Sequence, residues 1–425
     1  MKLAEVCPFR RNLPRGLALA APPVACGHRK FTDTRRSGMD FEAAYLNYAA
    51  ARQEKMLLRV LKESEPLGQG KLRRDGRVLI NFAGNDYLGL SHHPALIAAA
   101  KRYAEAFGTG SAASRLVTGN LSCFSEIEEK LAAGKGKEAA LILAAGYQTN
   151  LTVLAALADK DVLGRKVTIL ADRLIHNSLL QGALLSGARL ARFHHNDLAH
   201  LETLLARESE NAVIIVSESV FGMDGDVADL AALGALAKRF GAMLYIDEAH
   251  ATGLFGKNGF GLAADCPDLV DIVMGTFGKA LGSFGSYIAC SKAARDFLVQ
   301  RCGGLVYSTA LPPQVLGSIA AAIDLVPTLE AERAHLETLS QRLREGLVAL
   351  GFDCGASATQ IVPVIIGDEA RAMAMVAALE EQGFLAAAIR PPTVPQGTAR
   401  LRLSLSAAHQ TEDIDAFLSV MAGLQ

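Results

Sequence analysis

The sequence lacks the features that mark several broad classes of protein. Its seven cysteines form no C-x-x-C pair and no zinc-ligand spacing, which argues against a disulfide scaffold and indicates reduced thiols in a cytoplasmic protein. No apolar run reaches the length of a membrane span. With a net charge of −1 over 425 residues, no surface for nucleic acid or another polyanion is expected. The chain has neither an internal repeat nor a low-complexity tract.

The composition that remains is that of a globular α/β protein, except at the N-terminus. Hydrophobic residues make up 50% of the chain and charged residues 20%, and the length suffices for a large core and two subdomains. Residues 1–38 are instead basic and poor in acidic residues, as in an organelle transit peptide. Because Pro22 and Pro23 interrupt their apolar stretch, we expect a disordered extension, or an upstream start codon ahead of Met39.

Helical and strand patterns alternate along the middle of the chain. Apolar runs predict strands at residues 78–82, 139–143, 167–171, 189–193, 212–217, 242–246, 271–275 and 286–290. Helices are predicted at residues 40–64, 94–107, 123–133, 147–158, 177–186, 197–207 and 229–239. Strands that alternate with helices form βαβ units around a mostly parallel sheet.

A second pattern follows the double proline at residues 312–313. A long helical region runs to about residue 350, and strands at 361–366 and 400–405 precede helices at 369–382 and 411–422. We therefore predict an α/β fold with four parts: an extension, a helix and strand segment, a large domain on a mostly parallel seven-stranded sheet, and a small α+β domain. These parts cover residues 1–38, 39–94, 95–312 and 313–425.

Two of the predicted strands end in residues with catalytic chemistry. Asp-Glu-Ala-His occupies residues 247–250, and Thr-Phe-Gly-Lys occupies residues 276–279. Since ligands of open α/β sheets bind at the carboxyl ends of the strands, Asp247, His250 and Lys279 are expected to meet there. Pyridoxal phosphate requires such a set: a lysine for the Schiff base and a carboxylate that keeps the ring nitrogen protonated. Taken singly, these residues are equally typical of a helix N-cap, a structural histidine and a loop lysine.

Two nucleotide-binding alternatives fail on their motifs. The Asp-Glu-Ala-His string also occurs in helicases, but these need G-x-x-x-x-G-K-[ST], and neither Lys137 nor Lys279 is followed by a hydroxyl residue. In the glycine-rich stretch 108–119, Ala113 stands where a dinucleotide fingerprint needs its third glycine.

Further candidate residues follow other strands. Free amides at a helix start bind phosphate, so Gly146 and Tyr147 are candidates for a phosphate site, together with the Thr276 hydroxyl, although an ordinary βα turn has the same pattern. His176 is placed either to stack on a cofactor or simply to begin a helix. The tandem histidines at residues 92–93 and 194–195 have no ligand spacing with acidic residues and are predicted to lie at the surface.

Arg400 and Arg402 alternate along a predicted strand and share one of its faces. A guanidinium binds a carboxylate through two parallel hydrogen bonds, and an amino-acid substrate offers that carboxylate. A solvated strand face is the alternative explanation.

Together these motifs resemble the α-oxoamine synthases, a family of fold-type I pyridoxal-phosphate enzymes. The resemblance covers about residues 40–425 and rests on strings at residues 85–94, 223–226, 247–253, 276–279, 389–395 and 397–403. It implies three catalytic residues: Lys279, His176 and Asp247. It implies cofactor contacts from Gly146, Tyr147, His176, Gly222, Asp247, His250, Thr276 and Lys279, and substrate contacts from Arg59, Thr393 and Arg402. No metal site is implied.

The resemblance also implies a reaction and an assembly. The family forms homodimers with the active site at the subunit interface and condenses an amino acid with an acyl thioester. The string at residues 389–395 points to the member that uses L-alanine and a pimeloyl thioester of coenzyme A or a carrier protein, whereas sister enzymes use glycine. A non-catalytic cofactor-binding regulator is the alternative from another class, but no basic helix-turn-helix module precedes the fold.

One position departs from the family pattern. Gly222 stands where the family often has a serine, and the missing hydroxyl is expected to cost the cofactor about 0.5–1.5 kcal/mol of binding.

Overall fold

The computed structural model describes residues 39–54 and 57–424, which fall into two compact units that meet in sequence at Val60 and Leu61. The first unit contains helix α1 (Phe41–Glu54), which is preceded by Asp40, whose carboxylate accepts a hydrogen bond from the Ala43 amide (3.1 Å). The predicted extension at residues 1–38 lies outside the described residues.

The predicted helix over residues 40–64 is wrong at its C-terminal end, because α1 ends at Glu54 and residues 57–60 are not helical. The Arg52 guanidinium donates two hydrogen bonds to the Leu57 carbonyl (2.9 and 3.2 Å), which ties Leu57 to the last turn of the helix. Arg59, a predicted substrate residue, therefore follows the helix and is exposed.

The described part of the second unit contains further helices and three sheets. The helices are α2 (Pro94–Phe107), α3 (Cys123–Lys135), α4 (Gly146–Leu157), α5 (Lys160–Leu163), α6 (Asn177–Leu185), α7 (Leu198–Leu205), α8 (Leu230–Phe240), α9 (Lys292–Arg301), α10 (Gly303–Val306), α11 (Pro313–Leu325), α12 (Glu330–Ala349), α13 (Glu369–Glu381) and α14 (Thr411–Ala422). The strands are β1 (Glu65–Gly68), β2 (Lys71–Arg74), β3 (Arg77–Asn81), β4 (Ala139–Leu143), β5 (Val167–Asp172), β6 (Arg189–Phe193), β7 (Ala212–Glu218), β8 (Met243–Asp247), β9 (Ile272–Thr276), β10 (Ser286–Cys290), β11 (Ile361–Gly367), β12 (Phe384–Leu385), β13 (Ala387–Ile389) and β14 (Ala399–Ser404).

The large sheet has seven strands in the order β4-β10-β9-β8-β7-β5-β6, which confirms the predicted mostly parallel α/β sheet. Only β10 runs antiparallel to its neighbours. Inner strands of the sheet such as β5 and β7 are buried almost throughout because helices cover both faces, as expected for a parallel sheet, whereas the edge strand β6 is partly exposed. The carboxyl ends of β5, β7, β8 and β9 lie at one edge and carry Asp172, Glu218, Asp247 and Thr276.

The two smaller sheets combine the start and the end of this unit. Strands β11, β14 and β13 form an antiparallel sheet, and β12 adds in parallel to the β1-β2-β3 meander, with Phe384 opposite Ile80. The predicted helical region after residue 312 is two helices, separated at residues 326–328 where Pro327 interrupts the helical pattern.

No single helix in the described ranges is long and apolar enough to cross a membrane. The bent pair formed by Pro313–Thr328 and α12, with an angle of 76°, meets that criterion only when its two parts are taken together.

A fully buried ion pair involves Glu248, the residue that directly follows β8. The Lys135 ammonium donates to the Glu248 carboxylate (2.5 Å), and both side chains are inaccessible to solvent. The second Glu248 oxygen accepts the Ala263 amide (2.8 Å), and Thr252 lies 3.3 Å from the Lys135 nitrogen. Glu248 therefore anchors the segment between Asp247 and His250 to the core.

Candidate active site at the carboxyl edge of the large sheet

Lys279 lies in a tight loop that connects β9 to β10. The Phe277 amide bonds to the Gly285 carbonyl (2.9 Å) and the Gly282 amide to the Lys279 carbonyl (2.9 Å). Gly282 has a φ of 61° and a Cβ there would lie 2.4 Å from the Ser91 nitrogen, so only glycine fits. Burial lowers the pKa of Lys279 to about 8, although the Asp247 and Glu218 carboxylates oppose this effect. Only about a tenth of its amine is therefore neutral at pH 7, which is still far more than for a lysine in water.

Asp247 ends β8 as a buried carboxylate whose hydrogen-bond partners are all neutral. Its oxygens accept the Asn150 amide group (2.7 Å) and the Ala249 backbone N–H (2.8 Å). The Tyr245 hydroxyl donates to the Asn150 oxygen (2.7 Å), which fixes the orientation of that amide. A buried carboxylate needs a cationic partner, and a protonated pyridine nitrogen supplies one.

His250 connects the lysine to residues from two other parts of the chain. Its Nε2 lies 3.1 Å from the Lys279 nitrogen, and its Nδ1 lies 2.7 Å from the Tyr87 hydroxyl. Tyr87 and Asn85 in turn contact the guanidinium of Arg402. We call Asn85, Tyr87, His250, Lys279 and Arg402 the His250 network. Burial lowers the pKa of His250 far below its usual value, and the charges of Lys279 and Arg402 lower it further, so the ring is neutral.

The two arginines of β14 have different partners. Arg400 forms an ion pair with Asp224 (2.5 Å). Arg402 is 5% exposed and donates only to neutral oxygens in the described residues: the Gly222 carbonyl (2.6 Å), the Ser404 hydroxyl (2.7 Å), Asn85 and Tyr87. A buried guanidinium without an anionic partner is suited to bind a substrate carboxylate.

The start of α4 and the end of β9 form a cradle for an anion. Ala145 occupies the N-cap position of α4, and its side chain cannot accept a hydrogen bond from the first amides of the helix. The Thr276 hydroxyl is buried without a hydrogen-bond partner among the described residues. A Cβ on Gly146 would lie 2.7 Å from the Thr276 methyl, and Tyr147 is half exposed beside it. These residues fit the phosphate of pyridoxal phosphate.

His176 lies at the start of α6, where its ring accepts the Ser178 amide (3.2 Å). Its backbone amide donates to the Glu218 carboxylate (2.5 Å). The helix-start interpretation of His176 therefore fits the structure, and its stacking role stays a prediction. Burial, together with the charge of Asp247, raises the pKa of Glu218 to about 8.

Glu218 is a site residue that the sequence reasoning missed. It ends β7 directly opposite Asp247, which ends β8. The signal was present, because Glu218 closes an apolar strand in the same way as Asp247 does.

His195 was predicted to lie at the surface, without ligand spacing to acidic residues, and the predicted surface position is wrong. Its two ring nitrogens lie 3.0 Å from Asp172 and 2.7 Å from Asp226, and its side chain is 25% exposed. We call Asp172, His195 and Asp226 the His195 bridge. Burial opposes a charge on this ring, but the two carboxylates outweigh it and raise the pKa of His195 to about 10. The ring is therefore an imidazolium that joins the loop after β5 to the loop after β7.

The neighbouring His194, Asp197 and His200 have possible ligand atoms within 4.8 Å of one another. Part of this cluster already has partners within the protein, however, because His200 Nδ1 accepts the His194 amide (3.0 Å) and one Asp197 oxygen accepts the His200 amide (2.9 Å) as the cap of α7. The arrangement is therefore explained without a metal.

The structure does not test the roles of two predicted substrate residues. Thr393 is exposed in the loop before β14, where its amide donates to the Arg390 carbonyl (3.0 Å). Arg59 belongs to the first unit. Their roles stay predictions.

Comparison with known proteins agrees with this geometry. The family model for aminotransferases of class I and II matches residues 77–421. The chain is 54% identical to the 8-amino-7-oxononanoate synthase of Gluconacetobacter diazotrophicus over 369 residues, which cover 86% of this chain and 92% of the relative.

Two solved structures extend the comparison to the fold. A serine palmitoyltransferase from S. paucimobilis, with a bound aldimine of pyridoxal phosphate and myriocin, has a TM-score of 0.85 and 29% identity, and covers 91% of this chain and 98% of its own. The 8-amino-7-oxononanoate synthase of Francisella tularensis has a TM-score of 0.70 and 25% identity, with coverages of 81% and 97%. The predicted fold-type I architecture and the pyridoxal phosphate cofactor are confirmed at the level of the family, and the chain belongs to the class I and II aminotransferases.

Proposed function

We propose that this protein condenses L-alanine with a pimeloyl thioester to give 8-amino-7-oxononanoate, carbon dioxide and the free thiol, as in biotin biosynthesis. The observation that carries the proposal is the buried Arg402, which has no anionic partner in the described residues. Within the His250 network, Arg402 is connected through Tyr87 and His250 to Lys279. A guanidinium with these partners and this link to Lys279 supports the proposal of a carboxylate site near an amine that is suited to act as a base. The 54% identical relative named 8-amino-7-oxononanoate synthase supports the choice of substrates.

Each residue of the site has a role in this reaction. When bound, pyridoxal phosphate supplies an electron sink for the negative charge that develops at the α-carbon of the amino acid. Arg402 orients the substrate carboxylate, and Lys279 removes the α-proton, a contribution typically worth ~10²–10⁴ in rate. Asp247 keeps the ring nitrogen protonated. The α-carbon then attacks the thioester, the thiol leaves, and the resulting β-keto acid loses carbon dioxide.

We also propose a cytoplasmic homodimer whose second copy covers an apolar patch beside the anion cradle. Val117 and Tyr307 are 75% and 89% exposed, and Leu116 and Tyr147 are about half exposed. A β-bridge between Ser114 and Thr309 and a hydrogen bond from Gln148 to Ser308 (2.6 Å) bring their segments together. Exposed apolar patches mark interaction sites.

A substrate panel tests the proposal against the related α-oxoamine synthases that use glycine, namely 2-amino-3-ketobutyrate ligase and 5-aminolevulinate synthase. The kcat/KM values for alanine, glycine and serine are measured with pimeloyl, succinyl and acetyl thioesters, each on coenzyme A and on a carrier protein. Alanine with a pimeloyl thioester is expected to be preferred. One methyl group gives only about 1–3 kcal/mol of discrimination, so some glycine turnover is expected.

Two other outcomes would contradict the assignment. Preference for glycine with an acetyl or succinyl thioester would assign the protein to the sister enzymes. Cofactor binding without turnover of any pair would favour a non-catalytic regulator. Borohydride reduction followed by peptide mapping serves as the control for the cofactor, and it should label Lys279 alone.

A further inference from the structure

The donors of Arg402 are fully used in the free protein, and this fixes the hydrogen bonds of its neighbours. A guanidinium has five N–H groups and accepts none. Its Nε donates to the Gly222 carbonyl, Nη1 donates to Ser404 (2.7 Å) and Asn85 (3.3 Å), and Nη2 donates to Asn85 (3.2 Å) and Tyr87 (3.3 Å). All five hydrogens therefore have neutral acceptors.

The Asn85 side chain can be oriented without ambiguity, because a donor-only partner must face its oxygen. This Oδ1 accepts from both Nη1 and Nη2 of Arg402, which occupies its two lone pairs. The Tyr87 hydroxyl has a single hydrogen and two acceptors within reach, Asn85 Oδ1 at 2.9 Å and His250 Nδ1 at 2.7 Å. Because the Asn85 oxygen is saturated, the hydrogen of Tyr87 belongs to His250. Burial raises the pKa of Tyr87, so the hydroxyl keeps that hydrogen.

This choice determines the tautomer of His250. The neutral ring carries one N–H, and with Nδ1 accepting from Tyr87 that hydrogen resides on Nε2. Nε2 lies 3.1 Å from the Lys279 nitrogen, so the ring can donate to the lone pair of the amine whenever Lys279 is in its neutral form, the form that acts as a base. Two further contacts define the position of His250. The Gln360 amide donates to the His250 backbone carbonyl (3.0 Å). Gly222 leaves room for the ring, because a Cβ at position 222 would lie 2.5 Å from His250 Nε2.

We propose that Tyr87 is a positioning residue that makes Nε2 the N–H nitrogen of His250, and that a carboxylate bound to Arg402 weakens this hold. The second half rests on the proposed function, since it needs a carboxylate substrate at Arg402. A carboxylate that binds both Nη groups takes hydrogens from Asn85, so Asn85 Oδ1 becomes a free acceptor for Tyr87. When Tyr87 turns to Asn85, His250 Nδ1 is open to a proton from solvent.

The groups that face His250 make its protonation sensitive to this change. Lys279, Arg402 and His176 all oppose a charge on the ring, and Tyr87 occupies its Nδ1. A carboxylate on Arg402 offsets one of these cations at the same time as it frees Asn85. Arrival of the amino acid therefore raises the proton affinity of His250 beside the catalytic amine.

The tautomer is tested by nitrogen NMR of the ring in the holoenzyme, with the His250 signals assigned from a His250→Gln variant. In the wild type, Nε2 is expected to carry the proton and Nδ1 to be unprotonated near neutral pH. In Tyr87→Phe, which removes only the hydroxyl, the Nδ1–H form should appear. Tyr103→Phe on α2 is the matched control and should leave the His250 signals unchanged. Protonated Nδ1 in the wild type, or identical tautomers in wild type and Tyr87→Phe, would overturn the proposal.

The coupling is tested with propionate, which has the carboxylate of alanine but no amine. Propionate should shift the protonation midpoint of His250 upward in the wild type and much less in Tyr87→Phe, and kcat of Tyr87→Phe should fall ~3–10-fold, as for one lost hydrogen bond. An equal shift in both proteins would refute the coupling. Neither NMR readout depends on turnover, so failure of the proposed function would appear separately, as absent alanine activity with the tautomer difference intact.

Discussion

Two histidines in the same unit are brought to opposite charge states by their surroundings. In the His195 bridge, both ring nitrogens face carboxylates, and the pKa of His195 rises to about 10. In the His250 network, the ring is buried beside Lys279 and Arg402, and its pKa falls far below the usual value. The residue type is the same, and the sign of the neighbouring charges decides the outcome.

The difference also separates structural from chemical roles. The His195 imidazolium is reinforced by Asn196, whose backbone and side-chain N–H groups donate to Asp172 and Asp226 (both 2.9 Å). It fixes the loop that leads to His176 and the loop that contains Gly222. The neutral His250 keeps a nitrogen lone pair and a hydrogen available beside Lys279. The charged ring of His195 therefore stabilises the positions of the two loops, whereas the uncharged ring of His250 is available for proton transfer.

The largest effect is expected when the cation beside His250 is removed. In Lys279→Met, turnover should fall by at least ~10²–10⁴, because both the base and the attachment point of the cofactor are lost. The pKa of His250 should rise, although burial and Arg402 still hold it below its ordinary value, while that of His195 should not change, as measured by NMR titration. Lys238→Met on the exposed end of α8 is the control. Unchanged titration of His250 would contradict the role of Lys279 in keeping it neutral.

A second prediction uses the paired arginines of β14. Arg402→Gln should raise the KM for the amino acid about ten- to hundredfold, as expected for the loss of about 1.5–3 kcal/mol of charged hydrogen bonding. Arg400→Gln should leave that KM unchanged, since Arg400 already has Asp224 as its partner. Steady-state kinetics with alanine distinguish the two variants. Similar KM increases in both would mean that Arg402 has no special role in carboxylate binding.

The charge of the His195 bridge should appear as a pH-dependent stability. His195→Gln is expected to lower the free energy of unfolding by about 1.5–3 kcal/mol at pH 6. The folded pKa of about 10 lies above the unfolded value of 6.5, so the contribution is fully present below pH 6.5 and is lost as the pH rises through 10. Urea unfolding of both proteins at pH 6 and pH 10 measures this. A difference that does not shrink at pH 10 would exclude an imidazolium.

The smallest effect is expected at Gly222. In Gly222→Ser, the new Cβ would lie 2.5 Å from His250 Nε2, so the ring must move, at a cost of about 1–3 kcal/mol. The NMR signals of His250 should change and those of His195 should not. Gly423→Ser, with its nearest contact at 3.5 Å, is the matched control for thermal unfolding. An unperturbed His250 would show that its ring does not need a glycine at position 222.

The sequence was sufficient for the part of the site that depends on strand ends. Asp247, His250 and Lys279 follow apolar strands, and carboxyl ends of neighbouring parallel strands meet at one edge, so their proximity could be predicted. The His195 bridge could not, because its partners are 23 and 31 residues away and depend on which loops meet. The sequence also could not show that Arg400 has an anionic partner and Arg402 has none, because the partner, Asp224, is distant in sequence and lies in the loop after β7. The early end of α1 at Glu54 was likewise not predicted from the apolar pattern, which continues past that residue.

The buried ion pair of Lys135 and Glu248 has a consequence for how variants of this protein are interpreted in the laboratory. Asp247 and Glu248 are adjacent, yet one faces the reaction and the other is locked to a lysine in the core. Removing one partner of such a pair typically destabilises a fold by about 3–5 kcal/mol. A screen scored on growth or product alone would therefore rank Glu248→Gln with Asp247→Asn. The yield of folded protein would distinguish the two variants. Asp247→Asn should fold but lack a catalytic group, whereas Glu248→Gln should lose an ion pair that stabilises the fold.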